Sequence, residues 1–541
     1  LTGPIIAHKM VPCPGSRETW TSMKGTSMED ASAFIGVDIG TTSVKAVAFD
    51  RSGEVLAAKD REYPLRSPRS GWAEQDPEEI LNALLDSLAD VVSTLKERGV
   101  QIKCVSFSAA MHSLMALDGE GRPITPSIIW ADNRASGQAR RIRDEMDGLA
   151  IHRRTGTPIH PMSPLPKLLW FREEAPDTFR SAARWVSVKE YVFLRLFGEY
   201  VVDHSIASAT GLFGLESGEW DEGALHIAGV LPEKLSRPVP TTHAMDGLRS
   251  EYAERLGLGS ETPFVVGAND GALANLGVGA VDPGVVAVSI GTSGAVRSVV
   301  RRPEVEERGR LFCYALDEGE WVIGGPINNG GIALRWLKDT VFPDLAKATE
   351  GKRPYDLMGE MASKISAGSD GLIFLPYLTG ERAPQWNAHA RATFFGLTLG
   401  HGRGHMVRAV MEGVAFQIHA VARVLEEVSG EPKEVRATGG FARSALWRQM
   451  LADVFGREVV YPDGVEGSSL GAAMLGMKAI GEIPNLEAAK EMVEISHHHH
   501  PGEVDSKAYA QLMEIFTRLY ERLEPEFEAL KNLELSPEDS G

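Results

Sequence analysis

A chain of 541 residues exceeds what one ordinary hydrophobic core accommodates, so two large domains are expected, and 43% hydrophobic with 24% charged residues is the make-up of a folded globular protein. Its 56 Lys and Arg against 74 Asp and Glu leave a formal charge of −18 with no basic run to track a phosphate backbone, which argues against DNA, RNA or an anionic membrane as partner. Three widely spaced cysteines, Cys13, Cys104 and Cys313, make neither a disulfide framework nor a Cys-based zinc site, and no apolar run is long enough to span a membrane, so a cytoplasmic protein is expected.

Residues 1–32, with Pro12, Pro14 and many Ser and Thr, are expected to be a flexible leader. The first structured signal is an apolar strand running into a tight polar turn, Gly36-Val37-Asp38-Ile39-Gly40-Thr41-Thr42-Ser43, followed by a second strand over 44–49 and a hairpin turn over 50–53. Small residues let amides and hydroxyls approach an anion, and Asp38 at the strand end is suited to position a hydrated Mg2+; a plain glycine-rich turn is the alternative. A helix is expected over 76–96, with Asp76 as cap, Pro77 at the first position, Glu79 completing a capping box, and a stripe of Leu81, Leu84, Leu85, Leu88, Val91, Val92 and Leu95. A strand over 102–108 and helices over 135–146 and 188–196 extend a mixed α/β layout.

A strand over 263–267 enters Ala268-Asn269-Asp270-Gly271, and another over 285–290 enters Ser289-Ile290-Gly291-Thr292-Ser293-Gly294. The second turn resembles the first, about 250 residues earlier, which suggests a duplicated fold gripping one nucleotide from both sides, with a linker near 279–283. Further on, a long helix is expected over 405–427, then a strand over 434–437 ending at Thr438-Gly439-Gly440, and a helix over 444–455. The glycines at 439 and 440 either expose amides to a nucleotide or merely permit the turn. The tract His497 to His500 reads as chance or surface metal stickiness, and 508–530 as a charged amphipathic helix, kinked or ended at Pro525, whose stripe permits intramolecular docking or a homodimer.

With these elements in place the chain, over roughly 34–486, resembles the FGGY carbohydrate kinases. The resemblance is carried jointly by the turn at 36–43, Ser108-Ala109-Ala110-Met111-His112-Ser113, Trp130-Ala131-Asp132-Asn133-Arg134, Met162 through Trp170, Gly267 through Gly271, Gly291 through Gly294, Phe395 through Glu412, and Thr438-Gly439-Gly440. It implies two α/β domains of the actin, hexokinase and Hsp70-like (ribonuclease H-like) ATPase fold, each on a mixed five-stranded sheet, around a central cleft. The expected division is a sugar-binding domain over 33–282, a nucleotide-binding domain over 283–486 and a helical extension over 487–541.

The resemblance also implies ATP and Mg2+ as cofactors and transfer of the γ-phosphoryl group to a small sugar acid or polyol. The implied acceptor is D-gluconate, yielding 6-phosphogluconate; xylulose, glycerol or another polyol is the alternative, and a non-kinase ATPase switch or a silent sugar sensor belongs to other classes. On this reading Asp270 is the base that takes the acceptor proton and Asp38 positions the metal. Gly40, Thr41, Thr42, Gly291, Thr292 and Gly294 contact phosphate, while Gly439 and Gly440 form the adenosine-side loop, with Phe441 packing beside it. Met111, His112, Trp130, Asp132, Arg134 and Lys189, with Glu190, are expected around the acceptor, and Arg134 or Lys189 is expected to meet a carboxylate. Asn328-Asn329-Gly330-Gly331 either borders the nucleotide or tightens an interdomain turn. Closure of the cleft is expected because transfer must exclude water.

Overall fold

The computed structural model describes residues 32–345, 353–463 and 466–532; all but one residue of the expected leader, and the last part of the expected extension, lie outside the described residues. Ser32–Ile39 (β1) and Ser43–Phe49 (β2) are the two expected strands, paired antiparallel, and Val55–Glu62 (β3) pairs with β2 across the hairpin turn expected over 50–53. Side chains on both faces of β1 are buried, as a strand covered on both sides requires. The stripe over 76–96 becomes a helix, Pro77–Glu97 (α1), whose buried Leu84, Leu88, Val91 and Leu95 lie against this sheet and whose Asp76 side chain caps the amide of Glu78. Glu79 does not close the expected capping box. The loop before the helix brings Arg66 to 2.7 Å from its carboxylate, and the pairing takes Glu79 away from the helix start.

Gln101–Ala109 (β4) lies parallel to β1, and Ala244–Met245 (β5) and Phe264–Asn269 (β6) complete a six-stranded sheet of order β5-β6-β4-β1-β2-β3. Asp270–Leu276 (α2) follows β6 without a linker. The helices expected over 135–146 and 188–196 are present as Ser136–Glu145 and Val188–Phe197.

A second sheet starts with the hairpin of Val285–Ile290 (β7) and Gly294–Val300 (β8). Phe312–Asp317 (β9) and Glu320–Ile327 (β10) extend it on one side, and Glu434–Thr438 (β11), Val459–Pro462 (β12) and Ile495–His499 (β13) on the other, in the order β9-β10-β8-β7-β11-β12-β13. Strands β3-β2-β1-β4-β6 and β10-β8-β7-β11-β12 share one pattern, two antiparallel pairings followed by two parallel ones. The duplication read from two similar turns is therefore present in the topology. Each sheet exceeds the implied five strands at its edges, by β5 in the first and by β9 and β13 in the second.

The helix expected over 405–427 spans Arg403–Ser429 (α3) and packs on β8 and β10, with Ala445–Phe455 (α4) beside it. Gly467–Ala479 (α5) then crosses to the first sheet and packs on β1, β4 and α2. Its small residues let helix backbone lie directly on strand backbone: a Cβ added at Gly36 would stand 1.9 Å from the carbonyl oxygen of Ser469. A buried cluster of Phe34, Val47, Leu273, Val299, Tyr314 and Met474 joins the two sheets and α5 at this crossing.

Glu503–Asn532 (α6) runs through Pro525 rather than ending there. Its stripe, which left docking and dimerisation both open, is used within the chain: Tyr509, Met513, Phe516 and Phe527 are buried in the second core. The Tyr509 hydroxyl donates to Glu412 at 2.9 Å and accepts from Arg408 at 2.9 Å, on the inner face of α3. The histidine tract forms the edge strand β13, with His499 opposite Val459. Among the described residues, no group of three or more His, Cys, Asp or Glu is arranged to hold a metal, and no helix is long and apolar enough to cross a membrane. Cys104 and Cys313 are buried and free.

Candidate active site between the two sheets

Parallel register places the ends of β1, β4 and β6 side by side, with Ser108 opposite Asp38 and Asn269 opposite Ala109. The carboxyl ends of adjacent parallel strands are where open α/β sheets offer a crevice to ligands. Asp38 accepts a hydrogen bond from the Ser108 hydroxyl at 2.6 Å, and burial raises its carboxyl above the usual range despite that bond. The turn beyond it is closed by the Gly40 amide donating to the Ser43 carbonyl at 3.0 Å. Thr41 Oγ1 accepts from the Trp130 indole at 3.0 Å, while Thr42 is exposed beside it.

Asp270 begins α2, and the capping that could have occupied it is performed by its neighbour. Asn269 Oδ1 accepts from the Ala272 amide at 2.8 Å, and Asn269 Nδ2 donates to Ser205 Oγ at 2.8 Å. The Asp270 carboxylate is left with the amide of Gly271 at 2.8 Å. Burial, then the negative charge of Asp38, push its pKa up to about 6, and Arg297 opposes them. Two carboxyl groups at one crevice, both raised, are suited to proton transfer and cation binding respectively.

The second turn is built the same way and is closed from above. Gly291 donates to the Ser293 carbonyl at 2.9 Å, and the amides of Gly330 and Gly331 reach the carbonyls of Thr292 and Gly291 at 3.1 and 2.7 Å. The Asn328 to Gly331 cluster therefore borders this turn. Gly439 holds φ +115°, and a Cβ there would lie 2.4 Å from the Ile290 carbonyl oxygen, so the loop after β11 is pressed against the end of β7. Gly291, Thr292 and Gly440 line one cavity of about 790 Å³, together with Arg443 of the expected adenosine-side loop and with Arg335 and Tyr355, which sequence reading did not assign to it. Phe441 packs edge-on against Trp447 at 5.8 Å. Gly294 instead lies inside the hairpin, where a Cβ would meet Ser289 and Ile327.

On the acceptor side, Met111 is half-buried next to Gly271, and His112 takes a left-handed backbone, φ 70°, a strain of about 1–2 kcal/mol for a residue with a side chain. Two contacts hold it there. The His112 ring nitrogen Nδ1 lies 2.7 Å from the Ala209 carbonyl, and its own carbonyl accepts from Lys167 Nζ at 2.7 Å. Burial drives the His112 pKa down to about 3, so the ring is neutral at physiological pH and serves as a fixed hydrogen-bonding group. Lys167 also donates to Ile129 and Ile128 at 2.9 and 3.3 Å, and burial lowers its pKa to about 7. It is a clamp that the sequence showed only as part of the 162–170 motif.

Four of the residues expected on this side are engaged by partners within the chain. Asp132 is fully buried and accepts from the Ala73 amide at 2.7 Å and from Arg134 Nε at 2.9 Å. Arg134 is held by Asp132 and Glu74 with its guanidinium 3.6 Å from the Trp72 ring, so its charge is neutralised inside the first domain. Lys189 pairs with Asp203 at 2.8 Å and donates to the Ala268 carbonyl at 3.1 Å, while Glu190 closes a capping box with Ser187. One face of Trp130 is covered by Arg382 at 5.1 Å.

Arg297 on β8 and Arg382, both from the second domain, lie close enough to Asp270 to act on its charge. Arg382 donates to the Ile327 carbonyl at 3.0 Å, and burial lowers its pKa to about 10. The one signal available in the sequence for Arg297 was a lone charge inside the otherwise buried strand Gly294–Val300.

Residues 33–277 match the N-terminal domain, and residues 286–480 the C-terminal domain, of the FGGY family of carbohydrate kinases. The chain belongs to that family, and its activity is the ATP-dependent phosphorylation of a small sugar or sugar acid. It is 47% identical over 499 residues to the gluconokinase of Bacillus subtilis (strain 168), covering 92% of this chain and 97% of the relative. With the xylulose kinase of Escherichia coli (strain K12) it shares 30% over 500 residues, covering 91% and 99% of the two chains. The crystal structure of gluconate kinase from Lactobacillus acidophilus superposes with a TM-score of 0.87 at 34% identity, covering 92% of this chain and 99% of that one.

Proposed function

We propose that this chain transfers the γ-phosphoryl group of ATP to the terminal hydroxyl of D-gluconate, giving 6-phosphogluconate, in the cytoplasm where ATP is available. The identity of the acceptor is supported by the 47% identity to a gluconokinase over nearly the whole of both chains. The observation that carries the mechanism is Asp270, freed from capping by Asn269 and held at a pKa of about 6 at the crevice.

The residues present fit the nucleotide and its metal. The cavity beside Gly291 and Gly440 has the volume for a nucleotide, the Gly439 backbone leaves no room for a side chain, and Asp38 is a raised carboxyl, the hard oxygen donor that Mg2+ takes. Bound Mg2+ and ATP supply the transferable phosphoryl group and partial neutralisation of its charge. Thr41, Thr42, Gly40, Thr292 and Gly291 would hold the phosphates through amides and hydroxyls, with Gly440 on the adenosine side and Asp38 positioning the metal through water.

Asp270 would accept the proton of the acceptor hydroxyl at its carboxylate as that oxygen becomes the nucleophile. Met111 and His112 would place the acceptor chain, His112 being neutral and oriented by Ala209. Arg382 and Trp130 would wall the site from the second domain and the first, and their closure would keep water from the phosphoryl group.

ATP consumption measured with D-gluconate, D-xylulose, L-ribulose, glycerol, L-fuculose and no sugar tests this reading, with Asp270→Asn run beside the wild type. Gluconate-dependent turnover lost in the variant is the expected result. Turnover with another polyol would replace the acceptor, and equal ATP loss without any sugar would replace the kinase reading with an ATPase switch.

A further inference from the structure

We propose that Arg297 is the anchor for the carboxylate of the acceptor, an inference that rests on the sugar-acid reading above. Its guanidinium forms part of the wall of the acceptor space: a side chain begun at Gly271 would meet Arg297 Nε at 3.2 Å and Met111 Cε at 3.0 Å. The side chain is partly open to the crevice, yet its Nε is buried with no hydrogen-bond partner. Its Nη1 makes one long bond, 3.4 Å to Ser289 Oγ, and no carboxylate among the described residues pairs with it. A guanidinium offers five donors in a planar fork, and leaving most of them unmet in a desolvated wall is costly unless an anion completes the site.

The neighbouring charges do not complete it. Arg382 repels it, and Arg382 is itself engaged by the Ile327 carbonyl and the face of Trp130. Asp270 is close enough for the two charges to influence one another, yet they form no ion pair. The two groups therefore stay available to the two functional ends of one substrate, its reacting hydroxyl at Asp270 and its carboxylate at Arg297. The expected cations of the first domain, Arg134 and Lys189, are neutralised by Glu74, Asp132 and Asp203 and leave this role open. Because Asp270 belongs to the first domain and Arg297 to β8 of the second, a bound acid would also tie the two together.

Two other uses of Arg297 predict different kinetics. A cation stabilising the transferred phosphoryl group would govern kcat, and a cation serving only to keep Asp270 ionised would govern the acid limb of the pH profile. The test is steady-state kinetics of the full-length wild type, Arg297→Gln and Arg297→Lys with D-gluconate at saturating ATP, from pH 5 to 9. Calorimetric titration of the same proteins with D-gluconate accompanies it, and thermal melting monitors folding. The proposal expects KM and the dissociation constant for gluconate to rise roughly 10- to 100-fold in Arg297→Gln. It expects kcat on the plateau above the acid limb to move little, the limb itself to shift upward with the loss of a cation near Asp270, and Arg297→Lys to recover part of the affinity. An unchanged KM and dissociation constant would overturn it, whether or not the acid limb moves upward, as would a fall in kcat at constant KM. Should Arg297→Gln not fold, Arg297→Lys carries the test, because losing the planar fork while keeping the charge must still raise KM. A wild type that neither binds nor phosphorylates gluconate would instead remove the sugar-acid reading itself, a result separable from any behaviour of the variants.

Discussion

Asp270 and Lys167 show how burial assigns a task to a residue. For Asp270 the folded carboxyl is raised to about 6, so the ionised form needed to accept a proton fills as pH rises through that value. The acid limb of kcat in wild type is expected to rise through about pH 6 and level off above it, and Asp270→Asn is expected to lose roughly 100- to 10,000-fold in kcat. The same shift has a stability sign. The folded state holds the proton more tightly than the unfolded chain, so ionised Asp270 destabilises the fold above its pKa, and the Asn variant is expected to melt higher at pH 8 than wild type. Lys167 is structural in origin and functional in effect, since three carbonyls from two loops converge on its Nζ. Lys167→Met leaves them unpaired in a buried place and is expected to cost about 3 kcal/mol in urea unfolding. It should also raise KM for the acceptor, because His112 loses one of the two contacts that hold its strained backbone. A melt unchanged by that substitution would remove the clamp from the argument. The partners of Arg134 and Lys189 were hidden from sequence reading for one reason: they find Glu74 and Asp203 only after folding, and no spacing in the chain announces those pairings.

Elements were read more reliably than side chains, because a strand or helix declares itself through the periodicity of its own neighbours. The stripe of α1, the hairpin turn over 50–53, and the strands entering Asp270 and the turn at 291–294 were all legible. The capping box at Glu79 was not, because Arg66 competes for the same carboxylate. Helix α5 is the clearest case of an element whose partner was hidden. Its glycines and alanines permit many packings, and only the fold shows that they fit β1 and α2. Gly36→Ala should expose this contact: the added carbon would stand 1.9 Å from the Ser469 carbonyl oxygen, so helix or strand must move. A loss of about 2–3 kcal/mol and a lowered melting temperature are expected, with activity falling further than stability because β1 also carries Asp38. Thermal melting that matches wild type would mean the helix adjusts freely.

At the scale of the whole molecule, the site is divided between two halves that share a strand order. Asp38, Asp270, Met111 and His112 come from the first sheet and its connections; Thr292, Gly440, Arg297 and Arg382 come from the second domain. An enzyme divided in this way gains a complete site only when the halves approach, which is a means of excluding water from the phosphoryl group. Small-angle scattering with D-gluconate and a nonhydrolysable ATP analogue together is expected to give a smaller radius of gyration than the free protein. Superimposable profiles would rule out closure on binding. The buried stripe of α6 makes that helix part of the second core, so closure moves it with its domain.

The sequence by itself determined the α/β class, the duplicated strand-and-turn pattern, the position of Asp270 at a strand end and the resemblance to a kinase family, since each is written in residues close together along the chain. Only the tertiary structure decided which charges are free. It set Asp38 beside Asp270 through the register of parallel strands, sent α5 back across to the first sheet, spent Arg134 and Lys189 on internal partners, and brought Arg297 and Arg382 close to Asp270. The physical reason is that the energy of a charge depends on burial and on partners brought from distant parts of the chain, whereas the periodicity of a strand or helix depends on its neighbours alone.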